Sequence, residues 1–154
     1  MAEIMKLVES REARTDIPNF EPGDTVSYGA TFRATERRRI ATVAAGYADG
    51  YRRAFSNVGH GLLRGRRVPV AGIVTMDMTM LDVTDIECAV GDVVTLLGQE
   101  EAGLDSSSTP GAHPSPRGSG DVASAARIAG LCAYELLTGF RLRLRRVYVD
   151  PSRA

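Results

Sequence analysis

Residues 62–86, LLRGRRVPVAGIVTMDMTMLDVTDI, decide the fold class of this chain. The stretch contains two short segments, residues 68–74 and 79–83, that are rich in Val, Ile and Leu and follow a turn signal at Arg64-Gly65. Short apolar segments bounded by turn residues are typical of β-strands. The stretch is therefore predicted to form a pair of strands.

Turn signals also recur on both sides of this pair of strands. Turn signals recur about every 8 to 12 residues between positions 7 and 98, a spacing typical of all-β folds. Further segments rich in Val, Thr, Ile and Leu lie between the turns, at residues 25–35, 39–45 and 92–97. The chain is therefore predicted to be mainly β, as a small β-barrel or sandwich-like domain.

The composition changes after residue 100. Residues 106–120, SSSTPGAHPSPRGSG, contain too little apolar surface to offset the entropy of ordering them. This predicts a mobile insert at about 101–120 in a domain spanning 7–150. The remaining residues, 1–6 and 151–154, are predicted to be tails.

Two elements are predicted after the insert. Asp121 is a suitable N-cap for one short helix near 121–131, which would end at Gly130. Residues 140–149 alternate apolar side chains with Arg. This alternation predicts a half-buried strand with a basic outer face.

Composition and charge argue against several classes of function. The 154 residues are 44% apolar and 25% charged, which suits one globular core. The 19 basic side chains, which are 18 Arg and the single Lys6, balance 19 acidic ones. This balance argues against nucleic acid as a partner, and no apolar run suits a signal peptide or a membrane span. We expect a cytoplasmic protein in which Lys6 is the one amine available for chemistry.

The thiols and imidazoles form no metal or redox motif. Cys88 and Cys132 lack the spacing of a zinc site and are predicted to be reduced core residues. His113 lies within the Ser/Pro/Gly-rich residues and is expected to be a solvated loop residue. No phosphate loop, Ser-His-Asp set or clustered metal ligands are recognisable.

Three tyrosines are the conspicuous reactive side chains, Tyr28 in SYG, Tyr47 in GYADGY and Tyr134 in AYE. A phenol acts as a base only where positive charge or hydrogen bonding stabilises the phenolate. Pattern alone favours ordinary half-buried strand residues with satisfied hydroxyls. Likewise, the alternation TMDMTM at 75–80 favours a strand with a Met-lined core face.

At these same residues the chain resembles the C-terminal β domain of alanine racemase, the pyridoxal-phosphate enzyme that makes D-alanine for bacterial cell walls. Tyr47 follows Tyr28 by 19 positions and Met76 follows Tyr47 by 29. The blocks that carry the resemblance are LVESREART (7–15), PGDTVSYGATFRA (22–34), RRIATVAAGYADGYRRAFSN (38–57), the stretch at 62–86, VGDVVTLLG (90–98) and YELLTGFRLRLRRVYVD (134–150).

The resemblance implies roles for six positions. Tyr28 corresponds to the catalytic base that exchanges the α-proton on the L-alanine face. The Met76 backbone amide corresponds to the group that holds the substrate carboxylate, with Asp77 beside it, and Tyr134 to the tyrosine that hydrogen-bonds the cofactor phosphate. The two positions that correspond to the lining of the substrate channel are Tyr47 and Arg53.

Two departures from the family pattern bear on the channel. Ile73 stands where many members have Arg, so this position supplies no charge to the channel. Thr75 stands where others often have Cys, a change between small side chains.

The resemblance also implies what this chain lacks. Racemisation needs a second base on the opposite face, and the family uses the Lys of an N-terminal (β/α)₈ barrel that also holds pyridoxal 5'-phosphate. Lys6 does not match it. The implied partner is therefore such a barrel, contributed in trans across a homodimer, and the isolated chain is expected to be inactive. Two alternatives stay open, a non-catalytic binding or dimerisation module and a racemase of another amino acid such as serine.

Overall fold

The computed structural model describes residues 17–98, 122–141 and 143–145. It confirms a mainly β fold. Within these residues the eight strands are β1 Asn19–Phe20, β2 Thr25–Val26, β3 Phe32–Arg33, β4 Arg38–Val43, β5 His60–Leu63, β6 Arg66–Pro69, β7 Thr79–Asp82 and β8 Val94–Thr95, and the α-helices are α1 Val122–Ile128 and α2 Ala133–Thr138. The predicted insert and tails, with Lys6 and His113, lie outside the described residues.

In the described part of the chain the strands form three small antiparallel sheets. Their orders are β1-β4-β7, β2-β3 and β6-β5-β8. In the first sheet the register pairs Ile40 with Asp82 and Val43 with Thr79. An isolated bridge between Val70 and Leu81 brings the segment after β6 next to β7. Within the described residues the sheets do not close, so the domain is sandwich-like.

One main core lies beneath these sheets and the two helices. The Tyr51 and Phe55 rings stack inside it, with centroids 4.5 Å apart and planes at 8°. Burying each large apolar side chain stabilises the fold by about 1.5–3 kcal/mol. The largest fully buried side chains of this core include Tyr51, Phe55, Leu63, Leu81, Leu97 and Leu136.

The helix predicted near 121–131 is present as α1, and a second helix was missed. The chain leaves α1 at Gly130, whose φ of +66° belongs to the left-handed region that glycine favours. The second helix, α2, has six residues and buries Leu136. A helix this short presents too few turns for a recognisable apolar period. The Asp121 cap lies outside the described residues.

Three other predictions need correction. Within the predicted strand at 140–149, the described residues form a turn, in which Leu144 N donates to Arg141 O at 3.2 Å. The predicted strand at 25–35 is two short strands separated by a 3-10 turn, Tyr28–Ala30. Both cysteines are free, but only Cys88 is buried, whereas Cys132 is exposed just before α2.

No helix in the part of the chain that the structure describes is both long and apolar enough to cross a bilayer.

His60, at the start of β5, makes stability dependent on pH. Burial, and secondly the charge of Arg67, lower the pKa of His60 from its ordinary value of 6.5. The unfolded chain therefore binds this proton more tightly, so the contribution is fully present above pH 6.5 and is lost as pH falls towards the folded pKa. We expect the free energy of unfolding to be lower at about pH 5 than at about pH 7.5. In urea titrations His60→Gln should flatten this decline, and an unchanged decline would contradict the assignment.

Candidate functional site

The segments that carry Tyr47 and Met76 are joined by their backbones. Tyr47 N donates to Thr75 O at 3.0 Å, and Ala48 N donates to Met76 O at 3.0 Å. Gly46 makes this approach possible, because a Cβ at that position would lie 2.2 Å from Thr75 O. The sequence predicted both Tyr47 and Met76, and the structure brings their segments together.

The Tyr28 turn lies against the segment that leads to Met76. The Ser27 hydroxyl donates to Ile73 O at 2.6 Å. Beside this bond, a Cβ on Gly72 would lie 2.6 Å from Val26 O, so the two backbones are in contact. The base candidate and the carboxylate-binding candidate therefore belong to one connected set of loops.

Asn57 braces the same loops and was missed by sequence reasoning. Its Oδ1 accepts from Gly72 N at 2.8 Å, and its Nδ2 donates to Thr31 Oγ1 at 3.1 Å. Its φ of +58° is left-handed, a conformation that Asn tolerates better than most residues. The Asn itself signals only a turn, because its partners are distant in sequence.

Asp77 belongs to an ionic group whose other members were not predicted. Arg143 Nη1 lies 2.8 Å from Asp77 Oδ1, and Arg143 Nε lies 3.3 Å from Asp49 Oδ1. The hydrogen bond to Asp77, followed by the charge of Asp49, raises the pKa of Arg143. The buried Asp49 also accepts from Gly46 N at 2.9 Å through Oδ2. Asp49 thus links the Gly46 turn to the chain after α2.

Tyr134 lies on α2, which is attached to the same loops through Arg52. Arg52 Nη2 donates to Glu135 O at 3.3 Å. The Arg52 guanidinium lies so close to Gly139 that a Cβ there would meet it at 2.7 Å. This contact places α2 beside the loop that carries Tyr47.

The remaining predicted positions are in the same region. Arg53 is exposed in the 3-10 turn Arg53–Phe55, and its carbonyl accepts from Ser56 N at 3.0 Å. Thr75 is buried, and its hydroxyl donates to Met78 O at 3.0 Å, which closes the turn before β7. Ile73 is half-buried.

The side chains of the candidate site face solvent, whereas their sequence pattern alone predicted half-buried or core residues. Tyr28 and Tyr134 are 70% and 78% exposed, and Met76 is 53% exposed. The prediction of half-buried tyrosines is therefore wrong for Tyr28 and Tyr134. The prediction of a Met-lined core strand is wrong for Met76, although Met80 in β7 packs against buried residues. By contrast, Tyr51 is buried, and burial raises its pKa. The exposed side chains are carried by loops and a helix that contact one another, and the surface that they expose is a candidate binding or docking face.

The described residues also limit the chemistry of this face. They contain no group of three or more His, Cys, Asp or Glu side chains that could hold a metal ion. Lysine is absent from the same residues. What the face offers is phenols, backbone amides and guanidinium groups.

A sequence profile of the family described as alanine racemase, C-terminal domain, matches residues 11–148. The chain belongs to this family. The racemase from Geobacter sp. (strain M21) is 48% identical over 134 residues, which cover 84% of this chain and 31% of the relative.

Solved structures of alanine racemases have a similar fold over the matched region. The biosynthetic alanine racemase of Pseudomonas aeruginosa superimposes with a TM-score of 0.71 at 36% identity, covering 88% of this chain and 33% of that one. The alanine racemase of Bartonella henselae, with covalently bound pyridoxal phosphate, gives 0.70 at 25% identity, with coverages of 88% and 33%. The chain thus spans about a third of the length of these racemases.

Proposed function

We propose that this chain forms one wall of the active site of a pyridoxal-phosphate-dependent alanine racemase, which interconverts L-alanine and D-alanine for peptidoglycan. The observation that carries the proposal is the exposed face on which the Tyr28 turn and the Met76 loop are hydrogen-bonded together, in a chain that matches the family over 11–148.

The exposed face contains a residue suited to bind the phosphate group of the cofactor. A phenol is a suitable donor to a phosphate group, and the exposed Tyr134 could supply one. The aldehyde of pyridoxal phosphate needs an amine, and the chain's one lysine, Lys6, does not correspond to the cofactor lysine of the family. We therefore assign the cofactor lysine to an N-terminal barrel, contributed by the other subunit of a homodimer.

The Met76 amide is positioned by the loop contact. Tyr47 N holds the Thr75 carbonyl. In a trans peptide the carbonyl and the following N–H point in opposite directions, so the Met76 N–H is directed away from the Tyr47 backbone. There it can donate to a substrate carboxylate.

The other groups have complementary tasks. Pyridoxal phosphate, when bound, acts as an electron sink that makes the substrate α-proton acidic. Tyr28 Oη takes or returns that proton on the L-alanine face. Arg143 holds Asp77 in place beside Met76. Tyr47 and Arg53 line the path by which substrate arrives.

Reconstitution tests the proposal. The 154-residue chain with added pyridoxal phosphate should form no D-alanine. Co-expression with the barrel region of the Geobacter sp. relative should restore racemisation, and the barrel region alone is the control. Turnover by the chain alone, or a cofactor absorbance abolished by Lys6→Ala, would contradict the proposal.

The same experiment separates the alternatives. Association with the barrel but no turnover would favour a non-catalytic module. Faster turnover of L-serine than of L-alanine would favour a different substrate, for which Ile73 in the channel would be the first residue to exchange.

A further inference from the structure

The Tyr28 ring has little packing to hold it in place. It is 70% exposed, so its position depends on the backbone that carries it. That backbone is unusual, because the preceding residue, Ser27, has φ +65° and ψ −178°. This region is essentially reserved for glycine, so any other residue there is strained. Such a conformation persists only where the surroundings impose it.

Two contacts impose it on Ser27. The hydroxyl donates a short hydrogen bond of 2.6 Å to Ile73 O, 46 positions along the chain, in a partly buried setting. Gly72 also lies against Ser27, since a Cβ on Gly72 would lie 2.8 Å from Ser27 Cβ. The turn is thus tied to the loop that continues to Met76.

We propose that Ser27 is a positioning residue, whose hydroxyl fixes Tyr28 relative to the carboxylate-binding loop. The inference rests on the proposed racemase function. Without the hydroxyl, the strained backbone can relax and the phenol can shift away from the α-carbon. A misplacement of about 1 Å can cost about 10²-fold in rate.

The kinetic test uses Ser27→Ala in the chain combined with the barrel region. We expect kcat for racemisation to fall about 10–100-fold, while KM changes much less. In D₂O, exchange of the α-proton of L-alanine should fall with it. Exchange from D-alanine, which is assigned to the barrel lysine, should be largely kept. Thr35→Ala, which removes an exposed hydroxyl after β3, is the matched control.

A structural readout is independent of activity. A Cβ at Gly29 would lie 3.6 Å from Ile73 Cδ1, so the Ile73 methyl reports on the turn. In the ¹³C-methyl NMR spectrum of the 154-residue chain, Ser27→Ala should shift this signal and Thr35→Ala should not.

The outcomes separate the two proposals. Equal loss of exchange from both alanine enantiomers, unchanged kcat, or an unchanged Ile73 signal would overturn the role of Ser27. If the wild-type assembly is inactive, the proposed function fails, and the Ile73 signal alone decides whether Ser27 sets the turn.

Discussion

Tyr28→Phe is expected to lower racemisation by the chain and barrel together about 10²–10⁴-fold, the range typical for the loss of a general base. The substitution removes one hydroxyl and keeps the ring. Because the side chain is 70% exposed, the domain should fold as before. The loss should therefore be in kcat and in α-proton exchange from L-alanine, with the thermal midpoint of the chain unchanged.

Two other tyrosines are matched controls for this result. Tyr134→Phe removes a hydroxyl that we assign to the cofactor phosphate, so it should weaken cofactor binding more than the rate at saturating cofactor. Tyr51→Phe removes the hydroxyl of a buried tyrosine, and it should leave proton exchange intact. If Tyr28→Phe stayed within about threefold of wild type, another group would have to be the base.

The strands that the sequence predicted best are those whose apolar segments contain no glycine or histidine. The segment 39–45 corresponds to β4, Arg38–Val43, and 79–83 to β7, Thr79–Asp82. These two strands pair with each other over four residues. By contrast, β5, His60–Leu63, was not predicted, because His60 and Gly61 interrupt its apolar pattern. Its identity as a strand depends on its neighbours β6 and β8.

In the candidate site, the hydrophobic pattern of the sequence failed to predict which side chains are exposed. Hydrophobic pattern assigns aromatic and Met side chains to a core, yet Tyr28, Met76 and Tyr134 are exposed. Their exposure agrees with the proposal that a barrel domain covers this surface, and only the resemblance to racemases pointed to them. Asn57 and Arg143 were missed for another reason. Their bonds reach partners 15 or more positions away, which leaves no local period to detect.

Gly46→Ala should strongly destabilise the domain, because the position has no room for a side chain. The new Cβ would lie 2.2 Å from Thr75 O and 2.5 Å from Met76 O. Both are backbone atoms, so no flexible side chain can move aside. The Gly46 turn cannot easily move away from these atoms, because Gly46 N donates a hydrogen bond to Asp49 Oδ2 at 2.9 Å. We expect a loss of about 3 kcal/mol or more in the free energy of unfolding.

Gly91→Ala is the control that separates lack of space from backbone strain. Gly91 has φ +101° and nothing within 4 Å of a new Cβ, so its substitution strains the backbone alone. That strain costs on the order of 1–3 kcal/mol. Urea unfolding of both variants measures the difference. If Gly46→Ala were no less stable than Gly91→Ala, the contact between the Tyr47 and Met76 segments would be looser than described. A displaced Met76 amide would in turn raise KM for alanine in the assembled enzyme, even in variant molecules that fold.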